Sequence, residues 1–317
     1  MTFLGGWASG LALLAIAPGP RVVEDGVQAG AAQLVRARRG PGGLWIGPLD
    51  ANGGRDVLVY RPPAPHPDAM TRIVVHFHGT YSETVQRKRD GVPKKRWVGH
   101  NRLTQTLDAM DELQRSGNDN VLLVYPFSAG KRAPPWHTGW WNQAFDSMWM
   151  DGAGESFTEL VAQATDVAVE SLAVDRTHVA SAVTAEGHSA GGLALYNVAH
   201  AGAPEVAEYI FLDAAFEGWA DGCYEGLKAH RSDALLTVVM TERGIADPFA
   251  GRTPWCLHAK DEGGERWDDA RAWCEAMADD AVDLPHVYLH RTKVRHGDQP
   301  RRFSGGLGLP ATRFAEP

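Results

Sequence analysis

The sequence predicts an α/β protein with a doubly wound, mostly parallel sheet flanked by helices. Apolar runs without polar alternation, which are typical of strands covered on both faces, recur along the chain. Segments with apolar residues at helical spacing separate several of these runs. The resulting alternation of strand and helix favours a parallel core.

The first two predicted elements form a hairpin. Leu-Trp-Ile-Gly-Pro-Leu at 44–49 and Val-Leu-Val-Tyr at 57–60 are typical strand sequences, and the residues between them are turn formers. This tight connection predicts an antiparallel entry to the sheet.

Later elements alternate along the chain. Strands are predicted over 72–79, 120–126, 208–213, 234–240 and 286–290, and helices over 103–113, 157–172 and 193–198. Two long irregular stretches interrupt them, at about 129–156 and 241–284. The first stretch is rich in large aromatic residues: Trp136, Trp140, Trp141, Phe145 and Trp149. We expect both stretches to lie near a site, because loops at the carboxyl ends of strands usually shape it.

Composition excludes some partners. The formal net charge of -8 argues against a general nucleic-acid partner, which would need a basic face. No run of 18 apolar residues is present, so no stable membrane span is expected. The sequence gives no oligomeric state.

The N-terminal segment 1–20 is a candidate signal peptide or an apolar segment that stays on the domain. Its apolar core ends in the small-x-small pattern Ala15-Ile16-Ala17, but no basic residue precedes Arg21. We favour export, to the periplasm or the medium, over a cytoplasmic location. Residues 21–317 are then one domain. With three cysteines, a Cys256–Cys274 pair in an exported protein would leave Cys223 free.

The motif at residues 187–192 is the strongest indication of chemistry. Gly-His-Ser-Ala-Gly-Gly fits G-x-S-x-G, a sharp turn that exposes a serine between a strand and a helix. Gly187 and Gly191 stand two residues to each side of Ser189, where the turn crowds the backbone. Ser189 is therefore the candidate nucleophile.

With its surroundings, this motif resembles the α/β-hydrolase fold superfamily, and more loosely its bacterial esterase- and lipase-like branches. The resemblance covers roughly residues 44–303. The residues that carry it are the hairpin that ends in Tyr60-Arg61-Pro62, His76-Phe77-His78-Gly79, the 187–192 motif and His296-Gly297-Asp298. It implies serine chemistry in the chain order Ser, acid, His, without indicating a substrate.

The candidate base is His296, which follows the last predicted strand, whereas His286 and His290 fall within that strand. Two aspartates compete as the acid. Asp213 ends the strand after the serine turn, and Asp247 follows the next strand at a longer distance than is typical. We favour Asp213.

An oxyanion hole needs backbone N–H donors, usually from the residue after the nucleophile and from the loop after the third strand. These positions correspond to Ala190 and to Gly79 or Thr80. The pair His76 and His78 could share a zinc ion, because alternate strand residues face the same side. We disfavour that metal site, since no Asp-His pair continues the motif and no cysteine ligand is nearby, and we expect no cofactor.

A basic cluster stands out in this acidic chain. It comprises Arg87, Lys88, Arg89, Lys94, Lys95 and Arg96 around Asp90. It is interpreted as a solvated loop, or as a region that attracts an anionic substrate or polymer.

The function expected from these residues is hydrolysis of a small-molecule or polymeric carboxylic ester through an acyl-enzyme. A peptidase or amidase with the same triad is the first alternative. A non-catalytic binding protein of the same fold is the second.

Overall fold

The computed structural model describes residues 43–54, 56–79, 84–87, 93–96, 101–117, 119–127, 156–215, 218–241, 257–260 and 286–306. The candidate signal segment at 1–20 lies outside these residues, as do the five aromatic residues of the 129–156 stretch, Cys256 and Cys274.

Eleven strands occur in the described part of the chain. They are β1 (Gly43–Pro48), β2 (Asp56–Arg61), β3 (Thr71–Phe77), β4 (Thr84–Arg87), β5 (Pro93–Arg96), β6 (Asn120–Pro126), β7 (Val179–His188), β8 (Val206–Leu212), β9 (Leu235–Thr241), β10 (Leu257–Lys260) and β11 (His286–Thr292). Nine of them form one sheet in the order β1-β2-β6-β3-β7-β8-β9-β11-β10. The β1–β2 and β2–β6 pairs are antiparallel, and every other pair in that sheet is parallel.

Five α-helices accompany the sheet in the described residues. They are α1 (Asn101–Ser116), α2 (Phe157–Leu172), α3 (Gly192–Ala201), α4 (Trp219–Ala229) and α5 (Gln299–Phe303). Ser156 caps α2, because its side chain accepts a hydrogen bond from the backbone N–H of Glu159. A single 3₁₀ turn, His296–Asp298, precedes α5.

The predicted fold class is confirmed, including the antiparallel hairpin at the sheet's entry. Three predictions were incomplete. The stretch predicted as irregular over 241–284 contains the short edge strand β10. The basic cluster was interpreted as a loop, but four of its residues lie on an antiparallel pair of strands, β4 and β5. Helix α4 was not predicted, because its two glycines, Gly222 and Gly226, are poor helix formers.

The sheet buries apolar residues on both faces, because side chains alternate along each strand. Helices α2, α3 and α4 cover one face, here called the α2–α4 face, with Leu160, Leu195 and Leu227 among its buried residues. Helices α1 and α5 cover the other, here called the α1–α5 face, through residues such as Met110 and Phe303.

The α1–α5 face also buries ionisable and polar strand residues. His76, Glu186, Glu208 and Thr237 come from four adjacent strands of the sheet, and all are almost fully inaccessible to solvent. A fifth, His290 on β11, packs its ring against Phe303 of α5.

None of the helices in the described residues is long and apolar enough to cross a bilayer. Cys223 of α4 is buried and is not in a disulfide, and burial raises the pKa of its thiol.

Candidate active site

Ser189 lies on a strained turn between β7 and α3. Its φ of 53° falls in the left-handed region, which is unfavourable for a residue with a side chain. The strand ends at His188, and α3 begins at Gly192. The turn therefore presents Ser189 at the carboxyl edge of the parallel strands, with the amino terminus of a helix behind it.

The flanking glycines permit this turn because the backbone around it is crowded. A Cβ on Gly187 would lie 2.5 Å from the carbonyl oxygen of Gly191. A Cβ on Gly191 would overlap the carbonyl group of Phe77 at the end of β3. Any larger residue at either position would push the turn away from its own strand or from β3.

Asp213 and His296 lie in direct contact. The Nδ1 of His296 is 2.7 Å from Oδ2 of Asp213, and the side chains are 44% and 11% exposed, respectively. Asp213 follows β8 with a φ of 46°, so its backbone, like that of Ser189, is in the left-handed region. A carboxylate that accepts from Nδ1–H leaves Nε2 as the nitrogen that can take up a proton.

Strand β9 holds Asp213 in place. The backbone N–H of Thr241 donates to Oδ1 of Asp213 at 3.1 Å, and the N–H of Asp213 donates to the carbonyl of Val239 at 2.7 Å. The two carboxylate oxygens are therefore divided between the backbone of β9 and the imidazole of His296.

His188 connects the turn that carries His296 to the turn that carries Ser189. Its Nε2 donates to the backbone carbonyl of His296 at 2.9 Å, and the two ring centroids are 4.6 Å apart. Because His188 immediately precedes Ser189, this contact places the backbone of His296 near the half-buried serine.

Gly79 lies against Ser189 from the end of β3. A Cβ on Gly79 would be 3.0 Å from the Cβ of Ser189, so only glycine permits this approach without displacement. The Nδ1 of His78 donates to the Gly79 carbonyl at 2.7 Å, which fixes the orientation of that carbonyl. Burial lowers the pKa of His78 to about 3, so the ring is neutral near pH 7.

Of the other two residues proposed for the oxyanion hole, the structure describes one. Ala190 is buried in the turn directly after Ser189. Thr80 lies outside the described residues. So does Asp247, the alternative acid, and the structure describes only the backbone of the basic cluster's two strands.

His76 and His78 each have a protein partner. Nδ1 of His76 is 2.5 Å from Oε1 of Glu186, and both histidine rings stack on Tyr125, at centroid distances of 5.3 and 5.5 Å. Within the described part of the chain, no group of three or more potential metal ligands occurs.

Glu186 and Thr241 were not predicted as functional residues from the sequence. The signal for Glu186 was an acidic residue in the apolar segment leading to Ser189. Thr241 acts mainly through its backbone, which no residue pattern reports.

No protein-family model matches the sequence, and no curated protein matches it. Among solved structures, the chain is similar to the LpqC poly(3-hydroxybutyrate) depolymerase from Bordetella parapertussis, with 16% identity over 92% of this chain and 99% of that one, at a TM-score of 0.41. It is also similar to an S-formylglutathione hydrolase from Agrobacterium tumefaciens, with 13% identity over 86% and 95% of the chains, at a TM-score of 0.44. A third similar structure is the siderophore hydrolase EstB from Aspergillus nidulans, with 12% identity over 84% of this chain and 93% of that one, at a TM-score of 0.41.

The fold can be named from the chain's own geometry. A mostly parallel sheet carries a serine on a strained strand-to-helix turn, and an aspartate and then a histidine follow it in the sequence. The chain has the α/β-hydrolase fold.

Proposed function

We propose that this chain is a serine hydrolase that cleaves carboxylic esters through an acyl-enzyme. The observation that carries the proposal is the 2.7 Å contact between His296 and Asp213, next to a serine on a strained turn. A serine hydroxyl is a weak nucleophile near neutral pH and requires a base that a third group orients.

In the proposed mechanism, Ser189 Oγ attacks the ester carbonyl while Nε2 of His296 takes up its proton. The imidazolium then gives that proton to the departing alcohol, and Asp213 stabilises the positive charge. Water, activated by the same histidine, attacks the acyl-enzyme and releases the acid.

The tetrahedral intermediates carry a negative oxygen that needs preorganised donors. We assign these donors to the backbone N–H of Ala190 and to the peptide at Gly79 or Thr80. The contact of Gly79 with Ser189 and the fixed Gly79 carbonyl support this assignment. The amino terminus of α3, directly behind the turn, favours the same negative charge.

A fluorophosphonate probe, which reacts with activated serines, tests the proposal. The wild type should be labelled at Ser189, and Ser189→Ala should not be labelled at all. Ser181→Ala is the matched control, because Ser181 is an exposed serine on the same strand, β7. An unlabelled but folded wild type would reject the serine-hydrolase proposal.

Esters and amides of one acyl group then separate the two activities. We expect turnover of a p-nitrophenyl ester at a rate at least about 100 times that of the matching p-nitroanilide, a difference of about 2.7 kcal/mol in barrier. Faster turnover of the anilide would identify an amidase instead.

A further inference from the structure

Glu186 is a buried carboxylate that the proposed mechanism does not use. It lies on β7, three residues before Ser189, and its side chain is 0% exposed. A carboxylate so placed is costly unless its oxygens have partners. Both oxygens have one: Oε1 contacts Nδ1 of His76 at 2.5 Å, and Oε2 accepts from the backbone N–H of Gly305 at 2.8 Å.

Gly305 belongs to the segment that carries His296. The chain passes from the 3₁₀ turn at His296 into α5, and Gly305 comes two residues after that helix ends. The Glu186–Gly305 bond therefore joins the end of the segment carrying the proposed base to the strand carrying the proposed nucleophile.

The backbone at this point fits closely against its neighbours. Gly305 has a φ of +95°, and a Cβ there would lie 2.6 Å from Cδ2 of Leu113 on α1. A Cβ on Gly306 would overlap the side chains of Ile210 and Glu208 on β8. The segment 296–305 is thus held at its start by Asp213 and His188 and at its end by Glu186.

His76 fixes the carboxylate that makes this bond. Its ring stacks on Tyr125, and its Nε2 lies 3.5 Å from the hydroxyl of Thr106 on α1. Held in this way, the imidazole fixes one oxygen of Glu186 and leaves the other directed at Gly305.

We propose that Glu186 is a positioning residue for His296, acting through its bond to Gly305 and through helix α5. This inference rests on the proposed function. Loss of the bond frees the end of α5, and the imidazole then spends less time in the orientation that takes up the serine proton. Misplacement of a catalytic group by about 1 Å can reduce the rate about 10²-fold.

Three substitutions of Glu186 test the bond itself. Glu186→Ala removes both contacts, and Glu186→Asp keeps the charge but withdraws it by one methylene. We expect both to lower kcat by roughly 10²-fold with KM within about twofold of the wild-type value. Glu186→Gln keeps an oxygen that can accept from Gly305 and should lose less than about tenfold.

Thr237→Val is the matched control for a general loss of stability. Thr237 is equally buried on the same face, and its hydroxyl donates to Glu208 at 2.7 Å. The variant should unfold at lower denaturant concentration while kcat stays within about twofold. A kcat loss equal to that of Glu186→Ala would overturn the proposal.

A double-mutant cycle with His296→Ala supplies the decisive readout, measured on folded protein below the unfolding transition. If Glu186 acts through His296, Glu186→Ala should have less than about a twofold effect when His296 is already alanine. An equal loss in both backgrounds would overturn the inference. If Glu186→Ala does not fold, Glu186→Asp completes the cycle.

The failures of the two proposals are distinguishable. A wild type that neither reacts with fluorophosphonate nor hydrolyses esters contradicts the proposed function. An active wild type whose Glu186→Ala and Glu186→Asp variants keep their kcat contradicts only the positioning role.

Discussion

The two faces of the central sheet differ in the histidine and glutamate residues that their strands bury. The sheet and helix residues of the α2–α4 face form one large apolar cluster. The α1–α5 face has a smaller cluster and adds His76, Glu186, Glu208, Thr237 and His290. Apolar burial stabilises without direction, whereas hydrogen bonds fix positions and orientations. Under the positioning role proposed for Glu186, the α1–α5 face fixes where the proposed catalytic segment lies through that residue, and the α2–α4 face mainly supplies stability.

The largest loss of activity is expected at the end of β8. Asp213→Asn should lower kcat about 10⁴-fold with little change in the free energy of unfolding, because the amide no longer stabilises the imidazolium. Asp247→Asn is the matched control and should keep kcat within about threefold. Steady-state ester hydrolysis measures both variants. Equal losses in both would contradict the assignment of Asp213.

A substitution on the α2–α4 face should have the opposite effect. Leu160 of α2 is completely buried in the apolar cluster. Leu160→Ala should lower the free energy of unfolding by about 2–5 kcal/mol, through lost burial and a residual cavity, while kcat stays within about twofold. Urea unfolding measures the free energy of unfolding, and ester hydrolysis measures kcat. A large loss of kcat in the folded variant would contradict the view that the α2–α4 face mainly supplies stability.

His78, whose ring stacks on Tyr125 of the α1–α5 face, should also make stability depend on pH. Its pKa is lowered to about 3 in the folded protein, below the ordinary value of 6.5. Below pH 6.5 the unfolded chain binds a proton there that the folded chain does not, so stability falls as the pH falls towards 3. The slope is roughly 1.4 kcal/mol per pH unit.

His78→Asn isolates this contribution, since its amide can still donate to the Gly79 carbonyl but does not titrate. Between pH 7 and pH 5, the wild type should lose roughly 2 kcal/mol more than the variant in urea unfolding. Identical losses would show that His78 takes up a proton in the folded state.

The smallest effect is expected at Thr241. Its backbone N–H makes the 3.1 Å bond to Asp213, while its hydroxyl lies 3.5 Å from the same oxygen. Thr241→Val keeps the first contact and loses only the second, so kcat should fall by no more than about threefold. A loss near that of Asp213→Asn would mean that the hydroxyl has a larger role in the site.

Much of this architecture could be predicted from local pattern. The apolar runs indicated the parallel strands because those strands are buried on both faces, and turn residues marked the entry hairpin. Ser189 could be located because its turn requires glycines at fixed spacing. These features depend on neighbours in the sequence.

Other features depend on residues far apart in the chain. The order of the sequence left two aspartates as candidate acids, whereas the 2.7 Å contact of Asp213 involves a residue 83 positions away. The bond of Glu186 to Gly305 spans 119 positions and uses a backbone donor, which has no residue signature. Edge strand β10 was missed because a run of four residues in a polar stretch is too short to show the alternation of a strand.

The left-handed backbone of Ser189 and Asp213 lowers the stability of the folded protein at the residues proposed to carry its activity. Each conformation costs roughly 1–2 kcal/mol in a residue with a Cβ, and glycine would avoid that cost. Replacing the serine by glycine is therefore expected to make the protein more durable as it becomes inert. A selection for heat resistance that ignores turnover would therefore favour the loss of Ser189.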